Sequence, residues 1–199
     1  MKSLPVASAM LALAALAGCV APVGPVEVTR FHLPGMASLA RGTIAVQPAP
    51  DMDGASLEFS SYAAAVARQL VLLGYSEKPA GDSSSRQIAL VRLERQTFRP
   101  DRARGPVSVG VGGQAGSYGS GVGVGIGLDL SGPPPEQVET QLGVTIRERA
   151  SGRALWEGKA SFTVRASSPL ASTQLGAAKL SEALFKGFPG TSGETILVK

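Results

Sequence analysis

Residues 26–33, Val-Glu-Val-Thr-Arg-Phe-His-Leu, alternate apolar and polar side chains and favour β-branched residues, and residues 42–47 repeat the pattern ahead of Pro48. A period of two sends successive side chains to opposite faces, so both segments are predicted strands. From Leu57 to Leu73 the spacing changes. Leu57, Tyr62, Val66, Leu70 and Leu73 recur at helical intervals, and Gly74 stands where a left-handed residue would end the helix. After a Gly-Asp-Ser-Ser-Ser loop, Ile88 to Leu93 is a mostly apolar run of strand length that leads into an arginine-rich segment. Such a run predicts a strand covered on both faces and central in a sheet.

In residues 105–132, Val107, Val109 and Val111 alternate with Ser and Gly, and Val122, Val124, Ile126, Leu128 and Leu130 alternate mainly with Gly. The period of two predicts a long Gly-rich hairpin with one branched apolar face and one bare face. Pro133-Pro134-Pro135 breaks the chain, after which Val138, Leu142, Val144 and Ile146 mark one face of a strand and Ser151-Gly152 supplies a turn. In the return strand Ala154, Trp156, Gly158, Ala160, Phe162 and Val164 share one face, opposite Glu157, Lys159, Ser161, Thr163 and Arg165. A second helix is predicted from Pro169 to about Gly187, with Ala177, Leu180, Leu184 and Phe188 near one stripe, and Thr195 to Val198 reads as an edge strand. The expected fold is α+β: a mostly antiparallel sheet with two helices packed on one face, plus the Gly-rich hairpin.

The N-terminus carries a different message. Met1-Lys2 precedes an uncharged, almost entirely apolar run from Leu4 to Ala17. This has the layout of an export signal, and it is shorter than the ~20 residues a membrane-crossing helix requires. Leu16-Ala17-Gly18-Cys19 resembles the lipobox of bacterial lipoproteins, which implies cleavage between Gly18 and Cys19 and lipid on the Cys19 sulfur. Cys19 is the only cysteine, so the sequence leaves no intramolecular disulfide and stability must come from a packed core. Val20 follows it in place of the aspartate that resembles an inner-membrane retention signal, which favours an outer membrane, with the domain facing the periplasm. The expected organisation is a signal peptide at 1–18, a tether at 19–25 rich in Pro and Gly, and a single domain at 26–199.

Three further motifs converge. Leu70-Val71-Leu72-Leu73-Gly74-Tyr75 closes the first helix, Gly152-Arg153-Ala154-Leu155-Trp156-Glu157-Gly158-Lys159-Ala160 forms the second hairpin, and Phe185-Lys186-Gly187-Phe188-Pro189 ends the second helix. In this order, behind a lipobox, they resemble the bacterial lipoprotein family catalogued as domain of unknown function 4136. The resemblance spans roughly residues 26–190. It implies an envelope lipoprotein but supplies neither a reaction nor a ligand. The long glycine-rich stretch and the scarcity of aromatic residues around the first two strands depart from the family pattern.

The sequence offers little catalytic chemistry. Its formal charge is +4, with basic residues scattered and densest at Arg99, Arg102 and Arg104, which does not suggest nucleic-acid binding. His32 is the only histidine, and no serine sits in a Gly-x-Ser-x-Gly elbow, so no nucleophile–base pair is indicated. Asp51 and Asp53 resemble half of a calcium loop without the later ligands, and a turn is the simpler reading. Gly123, Gly125 and Gly127 lie inside a strand pattern, where a dinucleotide fingerprint needs a strand-to-helix turn. Trp156 reads as a core anchor. No catalytic, cofactor or metal residue is therefore assigned. The expectation is a lipid-anchored, non-enzymatic binding or scaffolding protein, reaching the membrane through its lipid and an envelope protein through the Gly-rich hairpin or a sheet edge. A carrier or enzyme for a small envelope ligand, held in a pocket between sheet and helices, is the alternative, and self-association of the Val-Gly strands is a third reading.

Overall fold

The computed structural model describes residues 24–35, 39, 41–101, 107–116, 119–128 and 133–199, with backbone alone from 107 to 128. Gly18 and Cys19, the predicted cleavage and lipidation residues, lie outside the described residues, as does most of the predicted tether. Strands β1 (Val26–His32), β2 (Thr43–Pro48), β3 (Ser76–Lys78), β4 (Gln87–Phe98), β7 (Gln137–Glu148), β8 (Ala154–Arg165) and β9 (Thr195–Val198) form one sheet. Their order is β3-β2-β4-β7-β8-β1-β9. The β2–β3 and β2–β4 pairings are parallel and the others antiparallel. β5 (Val107–Gly116) and β6 (Gly119–Leu128) pair with each other as a separate two-stranded sheet.

Helix α1 (Leu57–Leu72) and helix α2 (Thr173–Phe185) pack against each other and against the sheet face that carries its apolar residues. In α1 the buried stripe is Phe59, Tyr62, Val66 and Leu70, so burial follows the helical period. Leu57, expected on this stripe, is 86% exposed, and Phe59 takes its place. Ser56 caps the first turn by accepting the Phe59 amide. At the other end Gly74 adopts φ +106°, the Gly74 amide donates to Val71 O and the Tyr75 amide to Leu70 O. These two bonds close a Schellman turn, the physical content of the Leu-x-x-x-Gly-Tyr motif.

Several sequence expectations are corrected. β4 is flanked by β2 and β7 as a central strand should be, but Ile88 and Leu90 are only half-buried, because the helices cover one face alone. The arginine-rich segment after Leu93 continues β4 to Phe98 and is paired with β7 throughout. Pro169 opens a separate 3-10 turn (Pro169–Ala171), and α2 starts after Ser172. β3 has no counterpart in the sequence reading.

The core centres on Trp156, which is fully buried. Its ring stacks on Phe185 at 5.4 Å, lies 5.2 Å from Phe188, and its indole N–H donates to Pro189 O at 3.0 Å. The ring lies across Gly158. A Cβ there would stand 2.8 Å from Cζ2 and Cζ3 and closer still to Cη2. The Gly-x-x-Leu-Trp-x-Gly and Phe-Pro motifs are thus two halves of one packing unit.

The Gly158→Ala substitution must displace the indole from a filled core, and we expect a loss of about 2–3 kcal/mol in urea unfolding followed by Trp156 emission. A second expectation concerns alkaline pH. Burial, opposed by Arg95, pushes the Tyr62 phenol up to about 12. The unfolded phenol ionises near pH 10 and the folded one does not, so the unfolded state gives up its proton first and stability falls as pH rises from about 10 to 12. Tyr62→Phe should flatten that part of the melting-temperature profile.

Candidate functional site

Strand parity generates a second, uncovered sheet face. Thr29 and Phe31 of β1, Leu90 and Arg92 of β4, Gly143, Thr145 and Arg147 of β7, and Glu157 and Lys159 of β8 alternate with the core residues and point away from the helices. They line a shallow depression of about 400 Å³ whose far rim is Ala49-Pro50. Phe31 stands 54% exposed on this face. Arg92 pairs with Asp51, each side chain about half exposed. The face therefore offers one aromatic platform among cationic groups and two carboxylates, Glu157 and Asp51.

A second depression, of about 470 Å³, collects Arg41, Arg86, Arg149 and Glu148 around the start of β4. Arg149 is already committed. Its Nε donates to Ser85 O at 2.8 Å, and its terminal nitrogen donates to Ser85 Oγ at 2.5 Å and to Asp82 O at 3.1 Å. It clamps the Ser-rich loop to the start of the sheet. The Asp82 carboxyl, accepting from Ser84, lies below the ordinary carboxylate range. This depression is an assembled loop anchor, and the open face has the less committed groups.

The sheet edges differ. β3 is short and carries Glu77 and Lys78, which discourages a further strand, whereas β9 reads Thr-Ile-Leu-Val and exposes Leu197 at 67%.

The residues weighed from the sequence do not come together. His32 ties the end of β1 to the 190–192 loop: its ring nitrogens lie 3.1 Å from Gly190 O and Leu33 O, and its amide donates to Ser192 Oγ. Asp53 accepts the Ala55 amide at 2.9 Å in a turn, and Asp51 faces Arg92. Among the described residues no group of three or more His, Cys, Asp or Glu side chains is placed to hold a metal ion. Gly123, Gly125 and Gly127 lie within β6. Sequence reasoning missed Arg30. It occupies the core parity of β1 after Val26 and Val28 and is 4% exposed. An arginine in phase with two buried valines was the available signal.

The Arg92–Asp51 pair is exposed and should contribute less than about 1 kcal/mol. Arg92→Ala is therefore expected to leave the thermal midpoint within a few degrees of wild type by scanning calorimetry, so that any loss of binding in this variant reports on the face and not on the fold.

No family model matches the chain. It is similar to an uncharacterized protein of Zymomonas mobilis, 29% identical over a 215-residue alignment that takes in 88% of this chain and 80% of the relative. Among solved structures it is similar to a PDZ domain protein from Parabacteroides distasonis, with a TM-score of 0.48 and 12% identity over 96% of this chain. That match takes in 41% of the other protein, so the chain spans less than half of its length. It is also similar to the PelC dodecamer from Paraburkholderia phytofirmans, with a TM-score of 0.43 and 13% identity, covering 79% of this chain and 96% of that one.

Proposed function

We propose that this protein is an envelope lipoprotein of the kind its motifs resemble, anchored by acyl chains on Cys19 after cleavage behind Gly18, and that its domain binds or scaffolds a second envelope component without catalysing a reaction. The observation that carries the binding role is the one-sided sheet. Helices cover one face, while the other face and the β9 edge keep Phe31 and Leu197 exposed. An extended segment of a partner can add to β9 through main-chain hydrogen bonds and draw specificity from the neighbouring face. The Gly-rich hairpin is a second surface available to a partner. The space between helices and sheet is filled by Trp156, Tyr62, Phe162 and Leu184, which gives the small-ligand alternative less support.

The anchor and the binding role are tested together by expressing the full chain in a Gram-negative host as wild type and Cys19→Ala, each with a photo-crosslinking residue at position 197. The expected result is a wild-type species that begins at Cys19, carries acyl chains and fractionates with membranes, a variant released to the soluble fraction, and a discrete crosslinked adduct in the wild type. An unlipidated soluble wild type would remove the anchor, and a wild type crosslinked to nothing would remove the edge.

A further inference from the structure

The chain enters the sheet at the end where both helices begin. Arg95 of β4 pairs with Thr140 of β7, and Thr140 with Phe162 of β8. Val26, the first residue of β1, lies beside Phe162, one step past the Glu27–Ser161 pair. On the helix side of this rung Arg95 donates to Glu58 at 2.7 Å and to Ala171 O, and the Thr173 hydroxyl donates to the same Glu58 oxygen at 3.3 Å. The first turns of α1 and α2 and the entry of the polypeptide therefore form one pole of the domain. The end of α1 lies at the other pole, where the Ser76 amide donates to Gly42 O beside the starts of β2 and β4.

We infer that the entry pole is a membrane-contact surface, on which Leu57, Leu175 and Phe98 rest in a lipid bilayer and the strands and helices run away from it. The inference rests on the Cys19 anchor proposed above. Exposure is the first support. Leu57 is 86% exposed, Leu175 50% and Phe98 39%. Leu57 and Leu175 stand in the first turns of the two helices, and Phe98 ends β4 three residues beyond Arg95. Shallow insertion to a depth of ~5–10 Å, at the boundary of headgroups and acyl chains, would take such side chains out of water.

Reach is the second support. Five residue steps separate Cys19 from Gly24, and at no more than ~3.6 Å each they hold Gly24 within ~18 Å of an acylated sulfur. Leu72 is also exposed, but it ends α1, whose sixteen residues make a helix ~24 Å long. A tether of that reach, entering at the pole of Leu57, favours contact there over contact at Leu72. Charge is the third support. Arg99 follows Phe98, and Arg165 shares the last rung with Phe98 through Gln137. Their stems can lie along apolar ground while their guanidinium groups reach headgroup phosphates. Asp101 and Glu136 follow and precede the same strand ends and balance them, so the contact is chiefly apolar. A domain held this way keeps its open face and its β9 edge accessible from the side.

The test uses the full chain matured in a Gram-negative host, purified in detergent and reconstituted into vesicles of phosphatidylethanolamine and phosphatidylglycerol. Leu57→Cys, Leu175→Cys and Leu72→Cys are each labelled with a nitrobenzoxadiazole fluorophore, and part of the lipid carries a doxyl quencher high on its acyl chain. Quenching of about twofold or more is expected at positions 57 and 175, the depth of an interfacial contact, with little change at position 72. All three positions are exposed, and unchanged Trp156 emission confirms that each variant is folded. Intact mass reads the anchor separately. An acylated protein whose labels at 57 and 175 are quenched no more than the label at 72 would overturn this inference and leave the anchor standing. An unacylated protein would overturn both.

Discussion

The fold depends on one buried cation. Arg30 lies on the core side of β1, and its guanidinium donates from Nε to Leu184 O and from a terminal nitrogen to Ala183 O, both at 2.9 Å. These carbonyls belong to the last turn of α2, where helical backbone leaves acceptors unpaired and the dipole is negative. Desolvation lowers the Arg30 pKa from its ordinary value, and Glu194 acts in the opposite sense. A lysine could not divide its charge between two carbonyls in the same planar way. Arg30 thereby fixes where the second helix ends and how the chain leaves it.

The chain's path after α2 follows from that fixed point. Gly190 closes over the Arg30 side chain at φ +82°, where a Cβ would stand 2.8 Å from both Cδ and a terminal nitrogen. Pro189 O receives the indole N–H of Trp156, and the His32 ring reaches Gly190 O. One short segment therefore packs over a buried cation, accepts from a buried indole and ties down a strand end, and then delivers β9 to the free side of β1. The bond from its indole N–H to Pro189 O adds a directional constraint to the packing of Trp156.

The strands were legible because the sheet is covered on one side only: single-sided burial imposes the period of two that residues 26–33 and 154–165 display. The same cause hid other features. β4 reads as doubly covered because Ile88 and Leu90 are apolar on the open side, and sequence cannot tell an uncovered apolar residue from a covered one. β3 has three residues, too few for any period, and its parallel partnership with β2 depends on a crossover through α1. The start of α2 was blurred because Pro169 and Ser168 cap a 3-10 turn with the same residue types that cap an α-helix. Of the candidate site, the alternation along residues 26–33, that of Glu157 and Lys159, and the edge strand at Thr195–Val198 were visible. The grouping of Phe31 with Arg92 and Arg147 comes from strand order, which links residues far apart in sequence.

β4 and β7 are paired along their whole length, with Phe98 opposite Gln137 at the final rung. Everything between residues 99 and 136 therefore departs and returns through one pair of neighbouring strand ends. A tight turn could join those ends at little cost in loop-closure entropy, and a long excursion adds only slowly to that cost. The β5–β6 hairpin is thus an insertion between two neighbouring strand ends, and the bonds that Arg30 and Trp156 make to Ala183, Leu184 and Pro189 lie outside it.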